Sequence, residues 1–172
     1  MRAAPSTSRF LAWAALCWAA GCAYSFSGSN LPGHIKTISV PVLANESFDY
    51  QVADEATQTL VDRFIQDNRL KIVPLSQADA VLEGSLASYE NRVYSYDRNE
   101  NPEQYIVIVK LSLTFKDRVK NNEIWKEEGL TGSQVYSPGG RVEGSPTTEE
   151  DARKLALAEL ATDVLTKTLE QW

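Results

Sequence analysis

"QYIVIVKLSLTFKDR", residues 104–118, decides the architecture. Tyr105, Val107, Val109, Leu111, Leu113 and Phe115 fall on one face at the two-residue period of an extended chain. The residues between them start apolar, with Ile106 and Ile108, then turn polar through Lys110, Ser112, Thr114 and Lys116. A strand with one oily face and one largely polar face fits an antiparallel sheet covered on a single side.

Working outward, Ala80–Tyr96 reads as a second long strand, joined to the first by "DRNENP" at Asp97–Pro102. Beyond a turn at Asn121-Asn122, Ile124–Tyr136 returns as a third, with Gly129 at a bulge position. Upstream, Ile35–Val42 is a short strand that Pro41 confines to a sheet edge or ends. Tyr50–Asn68 is helical: Ala53, Ala56, Leu60 and Phe64 recur at helical spacing, widened by Val61 and Ile65, and Asn68 is the stop. Leu70–Pro74 is a further short strand. Thr147 with Glu150 forms a capping box that opens a last helix, and Glu149, Glu150 and Asp151 suit a helix N-terminus. Its stripe is Leu157, Leu160, Ala161, Val164 and Leu165, continuing to Leu169 and Trp172. These elements predict an α+β two-layer sandwich, a largely antiparallel sheet of about four to five strands with two helices packed on one face.

The first residues speak of location. Arg2 and Arg9 precede the apolar run Phe10–Gly21, about 12 residues against the roughly 20 that cross a bilayer. A basic start, a short apolar centre and the small residues Ala19, Ala20 and Gly21 describe a secretory signal peptide over residues 1–21. Cys22 follows directly, and the order resembles a bacterial lipobox, at which cleavage leaves an acylated cysteine as the new first residue. The expected organisation is a removable signal at 1–21, lipidated Cys22 with a Ser/Gly-rich spacer at 22–33, and one α+β domain over 34–172. Two or three acyl chains of the palmitate type hold a protein on a membrane firmly where one does not. Ala23 follows the cysteine rather than the aspartate that marks retention on the inner membrane, so the outer membrane is the expected site. Cys17 lies inside the removable segment and acylation consumes Cys22, which leaves no thiol for a disulfide or a metal.

Loss of Arg2 and Arg9 takes the net charge from −6 to −8, a balance that repels nucleic acid and predicts none as partner. An enzyme needs a nucleophile with a base, a metal site or paired carboxylates. The only histidine, His34, stands in the spacer and reads as a polar surface residue, and Glu149-Glu150-Asp151 is accounted for by helix capping. Asp97, Asn99 and Asn101 match the opening of a calcium loop. Pro102 and Ile108 occupy the positions where that loop needs Gly and Glu, so a polar hairpin turn is the better reading. The sequence predicts no enzyme, no metal and no cofactor. Positive charge gathers between Arg92 and Lys126, seven basic residues against five acidic ones, where Arg and Lys can meet phosphate groups beside Ile106 and Ile108.

"AAGCAYSFSG", "LPGHIKTISVPV" and "PEQYIVIVKLSLTF", taken together and in this order, resemble the LptE family of lipopolysaccharide-assembly lipoproteins. The resemblance implies an outer-membrane lipoprotein, lipid-anchored on the periplasmic side or within a barrel lumen. Its partners would be an LptD-like outer-membrane β-barrel, in which it sits as a plug, and lipopolysaccharide. It further implies lipopolysaccharide contacts at Arg98, in "YDRNENPEQY", and at Arg141, in "PGGRVEG". The alternative is a periplasmic-facing lipoprotein of β-α-β type that activates a cell-wall synthase or a secretion channel.

Overall fold

A computed structural model describes residues 31–140 and 142–170. The elements run β1 (Thr37–Ser39), β2 (Ala44–Asn45), α1 (Tyr50–Asp67), β3 (Lys71–Ile72), β4 (Ala80–Tyr96), β5 (Pro102–Asp117), β6 (Asn122–Tyr136) and α2 (Glu149–Glu170). A 3-10 turn at Leu75–Gln77 precedes β4. The six strands form one open sheet in the order β3-β1-β4-β5-β6, with β2 pairing β4. The expected α+β layering and one-sided helices are borne out. The sheet is broader than the expected four to five strands because β1, β2 and β3 each add two or three residues in parallel pairings. Pro41 is the reason β1 and β2 are separate pieces: it has no N–H to continue the ladder.

The period read in β5 is the period of burial. Val107, Val109, Leu111, Leu113 and Phe115 are at most 1% exposed, while Ile106, Ile108, Lys110, Ser112, Thr114 and Lys116 are half-exposed on the helix-free face. α2 packs on the first set through β5 and β6, and α1 lies beside α2 on the same side of the sheet, over β3 and β4. α1 contributes Val52, Ala53, Ala56, Leu60 and Phe64, and α2 contributes Ala156, Leu157, Leu160, Ala161, Val164, Leu165 and Leu169. Ile65 does not widen the stripe of α1: it is exposed, because the helix meets the sheet along a narrower line than the pattern suggests. Trp172 lies outside the described residues.

Caps and bulges hold the frame. Asp49 accepts the Gln51 N–H at the start of α1, and Asn68 ends it in the left-handed conformation at φ 60°. The cap of α2 sits one residue later than expected. Thr148, not Thr147, accepts the Asp151 N–H at 3.1 Å, and its hydroxyl donates to Asp151 at 2.7 Å. The Pro146 carbonyl is taken by the Ser137 N–H at 2.9 Å, the chain bends at Thr147 and Thr148, and Glu150 turns outward to Lys154. Gly129, at φ 75°, sits in the register shift that places Leu111 opposite Leu130 and Leu113 opposite Glu127, the expected bulge.

His34 is not the solvated residue expected. Its Nε2 donates to Asp117 at 2.6 Å, fastening the entry of the chain to the end of β5 where the sheet begins. Asp117 is buried; burial pushes its carboxyl up, but the Lys120 and Val119 amides and His34 outweigh that and hold it below the ordinary range. Asp79, at the head of β4, accepts from Lys36 N–H, Thr37 N–H and the Thr37 hydroxyl, and these bonds hold its carboxyl low as well.

Two expectations follow. A Cβ on Gly132 would stand 2.5 Å from the Ala156 carbonyl oxygen and 2.6 Å from Leu160 Cγ. Gly132→Ala should therefore cost about 1–3 kcal/mol and lower the melting temperature by several degrees, whereas Gly33→Ala, which meets nothing within 4 Å, should leave it unchanged. Asp79 contributes stability above its unfolded pKa of about 4 that fades as pH falls through the lower folded value. In urea melts Asp79→Asn should be less stable than the parent at pH 7, with the gap closing as the pH drops below about 4.

Candidate functional site

The two helices stop short of the β4–β5 hairpin. α2 begins beside Tyr89, whose hydroxyl donates to Glu149 at 2.5 Å, and β2 meets β4 only as far as Leu86. From Glu90 the chain runs several more residues to Tyr96 before the turn, about 20 Å at roughly 3.3 Å per residue. The chain enters at the other end, where Ile35 N–H bonds Pro32 O and Leu31 packs on the core. Entry point and turn are thus separated by most of the length of β4, on the order of 50 Å.

Arg98 occupies this turn, exposed, with no ion-pair partner among the described residues. Asp97 organises the turn beneath it. Its carboxylate accepts the Asn99 N–H at 2.8 Å, the Asn101 N–H at 2.9 Å and the Asn101 side-chain amide. The Asp97 N–H in turn bonds the Asn101 carbonyl at 2.8 Å, and Glu100 takes φ 62° to close the loop. Of the oxygens that suggested a cation loop, those of Asp97 accept from the turn's own amides. Exposed Tyr94 and Tyr96 precede the turn.

Arg141, the second expected contact, lies outside the described residues, as do Cys22 and residues 1–21. The flanking loop is held to the hairpin. Ser137, fully buried, donates to the Glu103 carbonyl at 3.4 Å through its hydroxyl, and Ser145 Oγ reaches the Val135 carbonyl at 3.4 Å. A network that the sequence reading missed ties α2 both to α1 and to the sheet. Arg153 pairs with Glu55 of α1 at 2.6 Å and lies 6.0 Å from the Tyr89 ring centroid. Burial and the Glu149 carboxylate push the Tyr89 hydroxyl up to about 12. No local pattern announces a bond across 60 or 98 residues of chain.

The basic residues between Arg92 and Lys126 do not form one cluster. Lys116 pairs with Glu83, Lys126 pairs with Glu128, and Arg118 turns back onto the Leu75 and Ala78 carbonyls. Arg92, Arg98 and Lys110 remain toward the hairpin. On the helix-free face Arg92 stands beside Ile106, which stands beside Val135, one row from Ile108. Nothing among the described residues resembles a catalytic constellation: the groups available are cations, tyrosine rings and small apolar patches on an open surface.

An open sheet with one helical layer is a fold that this chain shares with solved structures. The chain is similar in fold to protein CT253 of Chlamydia trachomatis, at TM-score 0.56 and 11% identity over 77% of this chain and 95% of that one. It is also similar to PelC of Paraburkholderia phytofirmans, solved as a dodecamer, at 0.53 and 13% over 83% and 94%. Lipoprotein B of Nitrosomonas europaea follows at 0.50 and 16% over 80% and 86%. No curated protein matches the sequence. The model of the lipopolysaccharide-assembly family LptE matches residues 35–168, and the chain belongs to that family. It is a family of assembly proteins and not of enzymes.

Asp97→Ala should loosen the turn and leave the fold. Amide exchange at Asn99 and Asn101 should speed up markedly, with an unchanged urea midpoint; a fall in the midpoint would place Asp97 in the core of the fold instead.

Proposed function

We propose that this chain serves lipopolysaccharide assembly by contact: acylated Cys22 holds it on the outer membrane, an LptD-like β-barrel receives the sheet, and Arg98 and Arg141 meet lipopolysaccharide phosphates. The observation that carries the reading is the family match over residues 35–168. The position of Arg98 supports it. A guanidinium with no ion-pair partner among the described residues stands at the tip of a hairpin on the order of 50 Å from the chain's entry. A tether at one end and a cation at the other suit a protein that is anchored on a membrane and reaches into a partner. Guanidinium–phosphate bonds are charge-assisted and fork-shaped, and they form despite an acidic overall balance because the contact is local. Tyr94 and Tyr96 offer ring faces close by.

The reading is at ease with an open surface. An assembly partner needs a firm shape and a few well-placed charges, and it needs no water-excluded pocket.

Arg98→Glu tests the contact. Losing one charge-assisted bond and adding a repulsion should weaken lipopolysaccharide binding about tenfold or more, with the circular-dichroism melt unchanged and an LptD-like barrel still co-purifying. Unaltered lipopolysaccharide affinity would remove Arg98 from the site, and failure of any barrel to co-purify with the parent chain would remove the partner.

A further inference from the structure

Leu31, Pro32, Ile35, Arg69, Leu70 and Leu169 line a cleft of about 260 Å³ at the end of the sheet where the chain enters. Three parts of the chain meet there. The entry segment turns through the bond from Ile35 N–H to the Pro32 carbonyl, the link from α1 to β3 passes at Leu70, and α2 arrives at Leu169. The floor is core: Ile35, Leu70 and Leu169 are all buried. An apolar cavity of about 150 Å³ holds a benzene ring, so this cleft has room for a larger one.

α2 points to what fills it. The helix buries adjacent residues once per turn: Ala156 and Leu157, Leu160 and Ala161, Val164 and Leu165, Thr168 and Leu169. The next step of that period falls on Trp172, which lies beyond the described residues, three past Leu169 and four past Thr168. Helical side chains lean toward the N-terminal end of their helix and cover the turn before their own Cα. From position 172 that lean leads back over Leu169 and into the cleft.

The one charged wall of the cleft suits an indole. Arg69 is held by Asp67, which accepts its Nε at 2.8 Å and a terminal nitrogen at 2.9 Å, and by Glu170 at 3.7 Å, two residues before Trp172. Among aromatic rings the indole face attracts a guanidinium best. Tyr24 and Phe26 are aromatic residues on the other side of the cleft in sequence. They are the poorer occupants. Residues 27–30, Ser-Gly-Ser-Asn, separate Phe26 from Leu31, and ordering that stretch costs conformational entropy. Trp172 needs only one further turn of a helix already packed.

We propose that the Trp172 side chain occupies this cleft, its indole lying on Leu31, Ile35, Leu70 and Leu169 and against the Arg69 guanidinium. Seated there, it clasps the entry segment from the side of α2, while the bond from His34 to Asp117 at 2.6 Å fastens it to the sheet. Two contacts far apart in sequence then fix the direction in which the chain enters the fold. The clasp does not depend on the lipopolysaccharide reading.

The test puts benzoylphenylalanine, a photo-crosslinking aromatic residue, at position 172 of the full chain and maps the linked peptides by mass spectrometry. Links within one chain to residues 31–35 or to Arg69 and Leu70 are expected. Links elsewhere, no links, or links between two copies, seen as a dimer band, overturn the proposal. Amide exchange gives a second measurement. Trp172→Ala should speed exchange at the Ile35 amide about tenfold, while the Asn99 amide in the distant hairpin turn keeps its rate. Trp172→Phe should recover most of the protection, and Phe26→Ala should leave both amides unchanged. An unaltered Ile35 rate in Trp172→Ala, or equal acceleration at Ile35 and Asn99, counts against a local clasp. Release of Ile35 by Phe26→Ala and not by Trp172→Ala would give the cleft to the residues before Leu31.

Discussion

One-sided burial of β5 is the constraint on which the molecule depends. Its inward residues are nearly all closed to solvent and its outward ones are all partly open, so the sheet must carry a layer on one face and leave the other bare. Both helices answer to that demand. α1 and α2 bring alanines and leucines to the same surface, and Gly132 lets α2 come within contact of the β6 backbone. The polar network of Tyr89, Glu149, Arg153 and Glu55 then fixes where along the sheet the helical layer ends.

Where it ends matters for function. A hairpin that continues beyond its covering layer cannot draw stability from helix packing, so it draws it from cross-strand pairs and from the self-contained turn at Asp97. The stacked rings of Tyr105 and Tyr136, 5.5 Å apart, and the bond from Asn91 to Tyr136 brace its inner side. The result is a stiff arm pointing away from the chain's entry, which His34 and Asp117 fasten at the opposite end. Distance between the chain's entry and the arm is built into strand length.

The helix-free face and the β6 edge are where the fold is incomplete by itself. Half-exposed Ile106 and Ile108 with Val135 make a small apolar row, too small to force association yet suited to a wall laid against it. β6 ends the strand order and carries no described strand on its outer side.

The sequence alone determined the three long strands, both helices, the bulge at Gly129 and the oily face of β5, because each is a short-range matter: a two- or 3.6-residue period, or a turn residue free to take a left-handed conformation. It also carried the family, through ordered segments spread along the chain. The tertiary structure alone decided what depends on partners distant in sequence. His34 looks like a surface residue until Asp117 is folded against it, and Thr147 looks like the cap until Ser137 claims the carbonyl before it. Lys116, Lys126 and Arg118 look like one basic cluster until each finds its own acceptor. Periodicity tells a residue which way to face; only the packed chain tells it what it will meet there.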